Sequence, residues 1–428
     1  MQAFGKLNGL AYGLLGLPLA FVALPLYVIL PNHYAKAFGV PLATLGAILL
    51  GARLFDAFID PLLGRLSDRL FARSTRSVLA TGAAAAVVLA CGFALLFFPQ
   101  VTSPNAIVVW ASVVLAVTYA AYNFLSVSHQ SWGAMLGGNE AERSRIVAWR
   151  EGLGLVGVVL ASVAPVVFGL PATTALFFVA LGIGWLAWTR AVKPAPKAEA
   201  TANQQANQAI WQPFKHINFK RLLGVFMLNG IASAVPATLV LFFIQDRLQA
   251  PASMEPLFLG SYFLTAALSI PLWLAVVKRI GLAKTWLIGM ALSIAVFAWA
   301  TQVGAGQTTA FLVITSLSGI ALGTDLTLPG AMLAGAIQGN GDSGKSEGAY
   351  FGWWNFATKL NLALAAGLAL PLLGLAGYSP GARGPEALNA LVVAYCVLPC
   401  LLKLAAAAAL YFFIIRPIPP SRTPVGQG

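Results

Sequence analysis

Apolar stretches long enough to cross a membrane recur along the whole of this 428-residue chain. A spanning helix needs about 20 consecutive apolar residues. Twelve segments satisfy this requirement, near residues 8–30, 42–64, 77–98, 105–135, 146–170, 172–192, 221–245, 256–278, 283–303, 308–337, 347–375 and 386–415. Charged residues make up only 9% of the chain, whereas soluble domains carry about 25%. We therefore predict an all-α integral membrane protein with twelve transmembrane helices.

Lysine and arginine are concentrated in alternate connections between these segments. The basic connections contain Arg65, Arg69, Arg73, Arg76, Arg143, Arg145, Lys193, Lys215, Lys278, Arg279, Lys284 and Lys345. Cytoplasmic loops of membrane proteins carry an excess of lysine and arginine, so both termini are predicted to be cytoplasmic. The net charge of +13 then reflects topology and contact with anionic lipid headgroups, rather than binding to nucleic acid.

One long polar interval, KPAPKAEATANQQANQAIWQ, interrupts the apolar segments at residues 193–212. Its composition cannot bury a core, so we predict a flexible linker. The chain is thereby divided into an N-terminal six-helix bundle at 1–192, a cytoplasmic linker at 193–220, and a C-terminal six-helix bundle with a tail at 221–428. Two such halves form the plan of the major facilitator superfamily, in which the substrate lies between the halves near the membrane midplane.

The second segment carries charges that a membrane helix rarely holds. Arg53, Asp56 and Asp60 have spacings of i, i+3 and i+7, which predicts a shared helical face. A charge at bilayer depth costs about 2.5–3.5 kcal/mol on insertion scales, so such groups pair or line a wet cavity. Two carboxylates one turn apart can coordinate Na⁺ or share a proton. We expect a cation-coupling site here; the alternative is that the carboxylates serve only to neutralise Arg53 and Lys359.

Lys359 is a cation deep in the eleventh segment and needs an acidic partner from another helix. Asp56 or Asp60 is the expected partner, across the two halves. An ion pair that forms in one orientation of the halves and breaks in the other would act as a gate. An anchor for an anionic substrate and a static ion pair are the alternatives. Asn355, one turn earlier, adds a polar group to the same helix.

Polar residues in the fourth and tenth segments are further candidates. His129 lies beside Ser128 and Trp132, and is either a packing residue or a proton relay. Asp325, between Thr324 and Thr327, is a candidate titrating group of the second half.

Asp68, in the basic connection after the second segment, is expected to form a latch between the halves. It is predicted to cap a helix or to pair with Arg69 or Arg73.

Catalytic signatures are absent from the sequence. It contains no phosphate-binding loop, no HExxH motif and no cluster of cysteine and histidine. Cys91, Cys396 and Cys400 lie in apolar segments and are predicted to be small packing residues. We expect neither an enzyme nor a bound cofactor.

The chain resembles the glycoside–pentoside–hexuronide:cation symporters in topology over essentially its whole length. The resemblance is carried by Arg53-x-x-Asp56-x-x-x-Asp60-Pro61, Gly64-x-x-x-Asp68-Arg69, Glu142-Arg143-x-Arg145 with Arg150, and Lys359. It implies that Asp56 and Asp60 bind the coupling cation near Lys359, and that they are metal ligands only if this cation is Na⁺. It also implies that Trp132 and Arg150 belong to the sugar-site neighbourhood, and that the host membrane is a bacterial inner membrane.

Three positions depart from the family pattern. Ala20 and Ser128 stand where the family has aspartates, and Leu125 stands where it has a threonine. The family residues hold the sugar or the cation. Fewer oxygen ligands weaken a Na⁺ site, whereas a carboxylate pair suffices for H⁺, so H⁺ is preferred over Na⁺ as the coupling ion. The same loss permits an amphiphilic cargo such as a lysolipid.

Together these observations predict a monomeric secondary active transporter that works by alternating access on a small polar solute, expected to be a sugar or glycoside. The predicted substrate-binding residues are Trp132, Arg150, His129, Ser128, Asn355 and Asp325. A lysolipid transporter is the main alternative, followed by a membrane receptor that does not transport.

Overall fold

The computed structural model describes residues 5–195, 210–379 and 381–416. Within these ranges the chain forms long helices joined by short connections, which confirms the predicted all-α membrane fold. The centre of the predicted linker, 196–209, lies outside the described residues, as do the first four residues and the tail from 417.

Six long helices precede the linker. We number them α1 (Lys6–Leu24, continued by Pro25–Ile29 and Leu30–Phe38), α2 (Leu42–Arg73), α3 (Thr75–Phe97), α4 (Pro104–Met135), α5 (Glu140–Pro165) and α6 (Val167–Arg190). Six more follow it: α7 (Ile217–Arg247), α8 (Glu255–Ile280), α9 (Leu282–Ala300), α10 (Thr308–Gly339), α11 (Glu347–Leu375) and α12 (Pro385–Ile415).

Eleven helices of the described ranges are long and apolar enough to span a membrane. The twelfth long helix is α2, which carries Arg53, Asp56, Asp60 and Arg65 along its length. It also continues from its predicted end near 64 to Arg73, because charged residues favour the helix as well as apolar ones once it leaves the membrane.

A backbone break at Gly169 lies in the first turn of α6, close to the end of α5. This residue has φ 76° and ψ 171°, a conformation that a Cβ disfavours, and Pro165 and Pro171 flank it. In α1, a π-helical turn starts at Pro25. Both irregularities lie at or beside proline, the residue most often found at helix kinks.

Buried apolar side chains form one core within the first six helices, from Tyr12 to Ala191, and another within the last six, from Ala234 to Cys396. A third core joins the halves, with Val127 and Val147 packed among residues of α7, α9, α10 and α11. The halves are therefore in apolar contact over part of their facing surfaces.

The described end of the linker contacts α11. Trp353 Nε1 donates to the Ile210 carbonyl oxygen at 3.0 Å, and its ring lies 4.7 Å from that of Trp211. Helix α7 then begins at Ile217, earlier than the predicted boundary at 221. Aromatic rings at this end of the linker thus pack against α11.

Helices α2 and α11 cross in close contact at a pair of glycines. A Cβ on Gly64 would lie 2.0 Å from the Gly348 carbonyl oxygen, and one on Gly348 would lie 2.1 Å from the Gly64 carbonyl oxygen. Only glycine permits this approach of the two backbones. The crossing therefore fixes how the first half meets the second.

Gly64→Ala is expected to lower the thermal unfolding temperature of the detergent-solubilised protein, since overpacking costs about 1–3 kcal/mol. Gly46→Ala is the matched control on the same helix, because a Cβ there meets nothing within 4 Å. Alanine also has the higher helix propensity by about 1 kcal/mol, so Gly46→Ala should leave the temperature unchanged or raise it. Equal shifts in the two variants would contradict the close crossing.

Candidate functional site

Asp56 and Asp60 lie one turn apart on α2, and both are buried. Lys359 of α11 lies between their carboxylates, with Nζ 2.9 Å from Asp56 Oδ1 and 2.8 Å from Asp60 Oδ2. The structure thus brings together the three charges that the sequence predicted to meet across the halves.

The Lys359 ammonium is surrounded by oxygen atoms. Besides the two carboxylate contacts, it donates to the Asp56 carbonyl oxygen at 3.0 Å and to Asn123 Oδ1 at 3.2 Å. The Asn123 amide donates in turn to Asp56 Oδ1 at 2.6 Å. We call Asp56, Asp60, Asn123 and Lys359 the inter-half cluster. It combines two carboxylates with one ammonium, and Asp60 Oδ1 has no hydrogen-bond partner among the described residues.

Arg53 differs from the two carboxylates in its environment. Its side chain is exposed, whereas Asp56 and Asp60 are 1% and 0% exposed. The shared face predicted from spacing therefore does not give Arg53 a buried position. Lys359, whose side chain is 21% exposed, is the cation that contacts both carboxylates, and the part of Arg53 in the cation-coupling site stays a prediction.

A second cluster with the same connectivity lies within the C-terminal half. Asn229 of α7 donates to Asp325 Oδ1 at 3.0 Å, and Lys403 of α12 donates to Asn229 Oδ1 and Asp325 Oδ2, each at 2.9 Å. Trp286 and Ser233 add donors to the same carboxylate at 2.8 and 3.3 Å. We call Asp325, Asn229 and Lys403 the C-half cluster.

Lys403 and Asn123 were missed in the sequence. Lys403 stands in the apolar stretch LLKLAAAAAL, so the reasoning applied to Lys359 could have found it. Asn123 carries no charge, and nothing in its local sequence distinguishes it from a polar packing residue.

Three predicted substrate-binding residues of α4 lie in the packed interior instead. His129 Nε2 is 2.7 Å from the Tyr12 carbonyl oxygen, while the Tyr12 hydroxyl donates to the His129 carbonyl oxygen at 3.0 Å. Trp132 Nε1 donates to the Val192 carbonyl oxygen at 2.9 Å, and the Ser128 hydroxyl donates to that of Ser67 at 3.0 Å.

All three of these α4 side chains are 0% exposed. In this conformation they connect helices and are closed off from solvent, and their predicted contact with a solute stays a prediction. The sequence identified their polarity but not the direction in which each side chain points.

Of the other predicted binding residues, Asp325 belongs to the C-half cluster, and Arg150 lies at the interface of the halves. Arg150 forms an ion pair with Glu151 and, with Tyr12 and Arg143, borders a cavity between α5 and α10. The cavity holds about 10 Å³, enough for one water molecule. Asn355 is half-buried on α11. No sugar-sized solute fits this cavity, so the described conformation is closed at this level.

The latch predicted at Asp68 caps α11. Its two carboxylate oxygens accept hydrogen bonds from the Gly348 and Ala349 amides at 2.7 and 2.9 Å. Arg69 and Arg73 are exposed nearby. Unpaired amides at a helix N-terminus favour a carboxylate. The contact joins the halves at the end of the molecule where the basic connections meet, which we call the basic end.

The chain is similar to known transport proteins. The family described as MFS/sugar transport protein matches residues 7–416. The uncharacterized symporter YjmB of Bacillus subtilis (strain 168) is 26% identical over 417 residues, covering 91% of this chain and 86% of that protein. The glucuronide carrier protein homolog of Escherichia coli (strain K12) is 24% identical over 406 residues, covering 89% of this chain and 86% of that protein.

Among solved structures, a bacterial homologue of the iron transporter ferroportin in an outward-facing state superposes with a TM-score of 0.69. The two chains are 14% identical, and the match covers 96% of this chain and 100% of the other. At this identity the likeness concerns the fold alone.

Asp325→Asn is expected to lower the thermal unfolding temperature, because it leaves Lys403 buried without its carboxylate. Breaking a buried ion pair from one side costs about 3–5 kcal/mol, whereas replacing both partners by apolar residues is often neutral. The double variant Asp325→Leu/Lys403→Met should therefore be more stable than Asp325→Asn. A single variant that unfolds at the wild-type temperature would contradict this role of the C-half cluster.

Proposed function

We propose that this chain, which belongs to the MFS/sugar transport protein family, carries a sugar or glycoside across a bacterial inner membrane by cation-coupled alternating access. It is a membrane transport protein rather than an enzyme, as the symporter and carrier relatives indicate. The proposed coupling ion is H⁺ in preference to Na⁺, and the proposed working unit is a monomer.

The inter-half cluster is the observation that carries the proposal. Lys359 belongs to the second half, and Asp56 and Asp60 belong to the first, so relative movement of the halves must change their contacts. A cation bound at the carboxylates would weaken their attraction for the ammonium. Binding of the coupling ion would thereby favour separation of α2 from α11.

The geometry favours a proton over Na⁺. Three of the oxygens that could coordinate Na⁺ already contact the Lys359 ammonium: Asp56 Oδ1, Asp60 Oδ2 and Asn123 Oδ1. Sodium would have to displace this tethered cation before it could bind. A proton can instead add to Asp60 Oδ1, which has no hydrogen-bond partner among the residues described. One carboxylate would then remain to balance one ammonium.

The substrate class follows from the relatives and from the interface. Their names include a glucuronide carrier homolog, and the family description specifies sugar transport. Arg150 and Asn355 supply polar groups near the interface of the halves. We propose that they contact the solute when the halves open, since polar groups fix the orientation of a bound ligand.

The basic end is proposed to face the cytoplasm, following the excess of lysine and arginine in its connections. Both termini would then be cytoplasmic. Asp68 caps α11 at this end, and the cavity beside Arg143 and Arg150 has room for only one water. The described conformation would accordingly be closed toward the cytoplasm.

The coupling proposal predicts the behaviour of Asp60→Asn in proteoliposomes. Wild-type protein should accumulate a sugar from a test panel when a proton gradient is imposed, and a Na⁺ gradient alone should drive less uptake. Asp60→Asn should lose accumulation, because a neutral amide cannot bind the coupling proton, while passive exchange of the same sugar continues.

Full gradient-driven uptake by Asp60→Asn would contradict the proposed coupling. A parallel panel of lysolipids separates the alternatives. Lysolipid movement without sugar uptake would show that the substrate is a lysolipid and not a sugar. If the folded protein moves none of the tested compounds, the result would favour a receptor.

Asp68→Ala is expected to slow turnover without abolishing solute binding, since it removes the cap from α11 but leaves the inter-half cluster in place. A charge at a helix terminus contributes about 0.3–1 kcal/mol, so we expect a reduction in uptake rate of about two- to fivefold. The measurement compares initial uptake rates and binding affinities at matched protein amounts. An unchanged uptake rate would contradict the proposed gating role of Asp68.

A further inference from the structure

The first turn of α5 is fixed by a capping box within its own half. Asn139 Oδ1 accepts from the Glu142 amide at 3.0 Å, and Glu142 Oε2 accepts from the Asn139 amide at 3.1 Å. This reciprocal pair satisfies two amides at the start of the helix. It also determines where the remaining side chains of this turn, Glu140 and Arg143, point.

Glu140 reaches across to α9 in the other half. Its Oε2 accepts a hydrogen bond from the Leu282 amide at 2.9 Å. Gly281, with φ 83°, precedes this residue and turns the chain into the helix. Helix α9 has no acidic residue in its first turn and no side-chain cap from its own N-cap position. Its N-terminus therefore takes a carboxylate from the first half of the molecule.

Arg143, one turn after Glu140, contacts the same half. It donates to Gln338 Oε1 of α10 at 2.7 Å. A Cβ on Gly335 would lie 3.0 Å from its guanidinium, so α10 approaches this side chain closely. One turn of α5 thus contacts the start of α9 and the end of α10. These contacts lie at the basic end, as does the cap that Asp68 places on α11.

We propose that Glu140 is a second gating residue, which holds the basic end closed by capping α9 and releases α9 when that end opens. The inference rests on the proposed alternating access. Asp68 and Glu140 then perform the same task at two sites: each carboxylate of the first half binds a helix N-terminus of the second. Closure is stabilised at two separated points, which opposes rotation of the halves better than one contact does.

Glu142 provides a matched control. It lies in the same turn and carries the same charge, but its carboxylate serves the capping box of its own half. Glutamine at this position preserves the capping box. Glu140→Gln and Glu142→Gln therefore remove equal charge from the same loop, and only the first weakens a contact between the halves.

The experiment measures the distance between the halves at the basic end by pulsed electron spin resonance. Spin labels are attached at Arg76→Cys and Arg279→Cys, both exposed, in a background with Cys91 and Cys400 replaced by serine. Glu140→Gln is expected to raise the ratio of long to short distances by about two- to fivefold, the range for a charge at a helix terminus. Glu140→Ala should raise it at least as much, and Glu142→Gln should leave it unchanged.

An unchanged distribution in both Glu140 variants would overturn the proposal, and so would an equal shift in Glu142→Gln. The distances are measured without any cargo or ion gradient. A protein that opens as expected but moves no sugar would therefore contradict the proposed function alone, while leaving the role of Glu140 in place.

Discussion

A lysine ammonium enclosed by oxygen atoms at membrane depth is the interaction on which the contact between the halves depends. Lys359 cannot remain there unpaired, because a single charge at bilayer depth is costly and seeks a partner. Asp56 and Asp60 supply that partner from the opposite half. Unit charges 4 Å apart attract with about 4 kcal/mol at an effective dielectric constant of about 20. In the proposed cycle, neutralising one carboxylate removes a large part of this attraction.

The two buried clusters share a connectivity but differ in where their members originate. In each, an asparagine amide donates to a carboxylate, and its oxygen accepts from a lysine. The C-half cluster takes all three residues from α7, α10 and α12, so movement of the halves leaves it intact. It also balances one carboxylate with one ammonium, whereas the inter-half cluster has a second carboxylate. Of these two clusters, only the inter-half cluster has an excess of negative charge and also takes its residues from both halves.

Sequence reasoning succeeded where a physical cost forced the answer. A buried lysine needs an acid, and that requirement predicted the partners of Lys359. The cap at Asp68 was predicted only in part, because the amides of Gly348 and Ala349, which donate to its carboxylate, have no sequence signature. Spacing placed Arg53 on the face of Asp56. The side chain of Arg53 is exposed all the same, whereas Ala52, next to it on the helix, is buried.

Helix α4 shows the same limit from another side. Its residues are buried on most of its faces, so polarity alone could not tell His129 and Trp132, which pack inside the first half, from Asn123, which faces Lys359. Periodicity separates a buried face from an exposed one. It cannot tell which of two buried faces packs inside the first half and which faces the second half, because that depends on the neighbouring helices.

The inter-half cluster and the Asp68 cap lie on the same two helices, which gives a direct physical route for coupling. On α2, Asp56 and Asp68 are twelve residues apart, about 18 Å of helix, and on α11, Gly348 and Lys359 are separated by a similar length. The glycine crossing lies between the two contacts on α2 and at the capped end of α11. Separation of these helices as rigid rods must weaken both contacts together. In the proposed cycle binding linkage is reciprocal: a closed cap would favour Lys359 within the cluster and oppose a competing cation, and a bound cation would lower the free energy needed to open the cap.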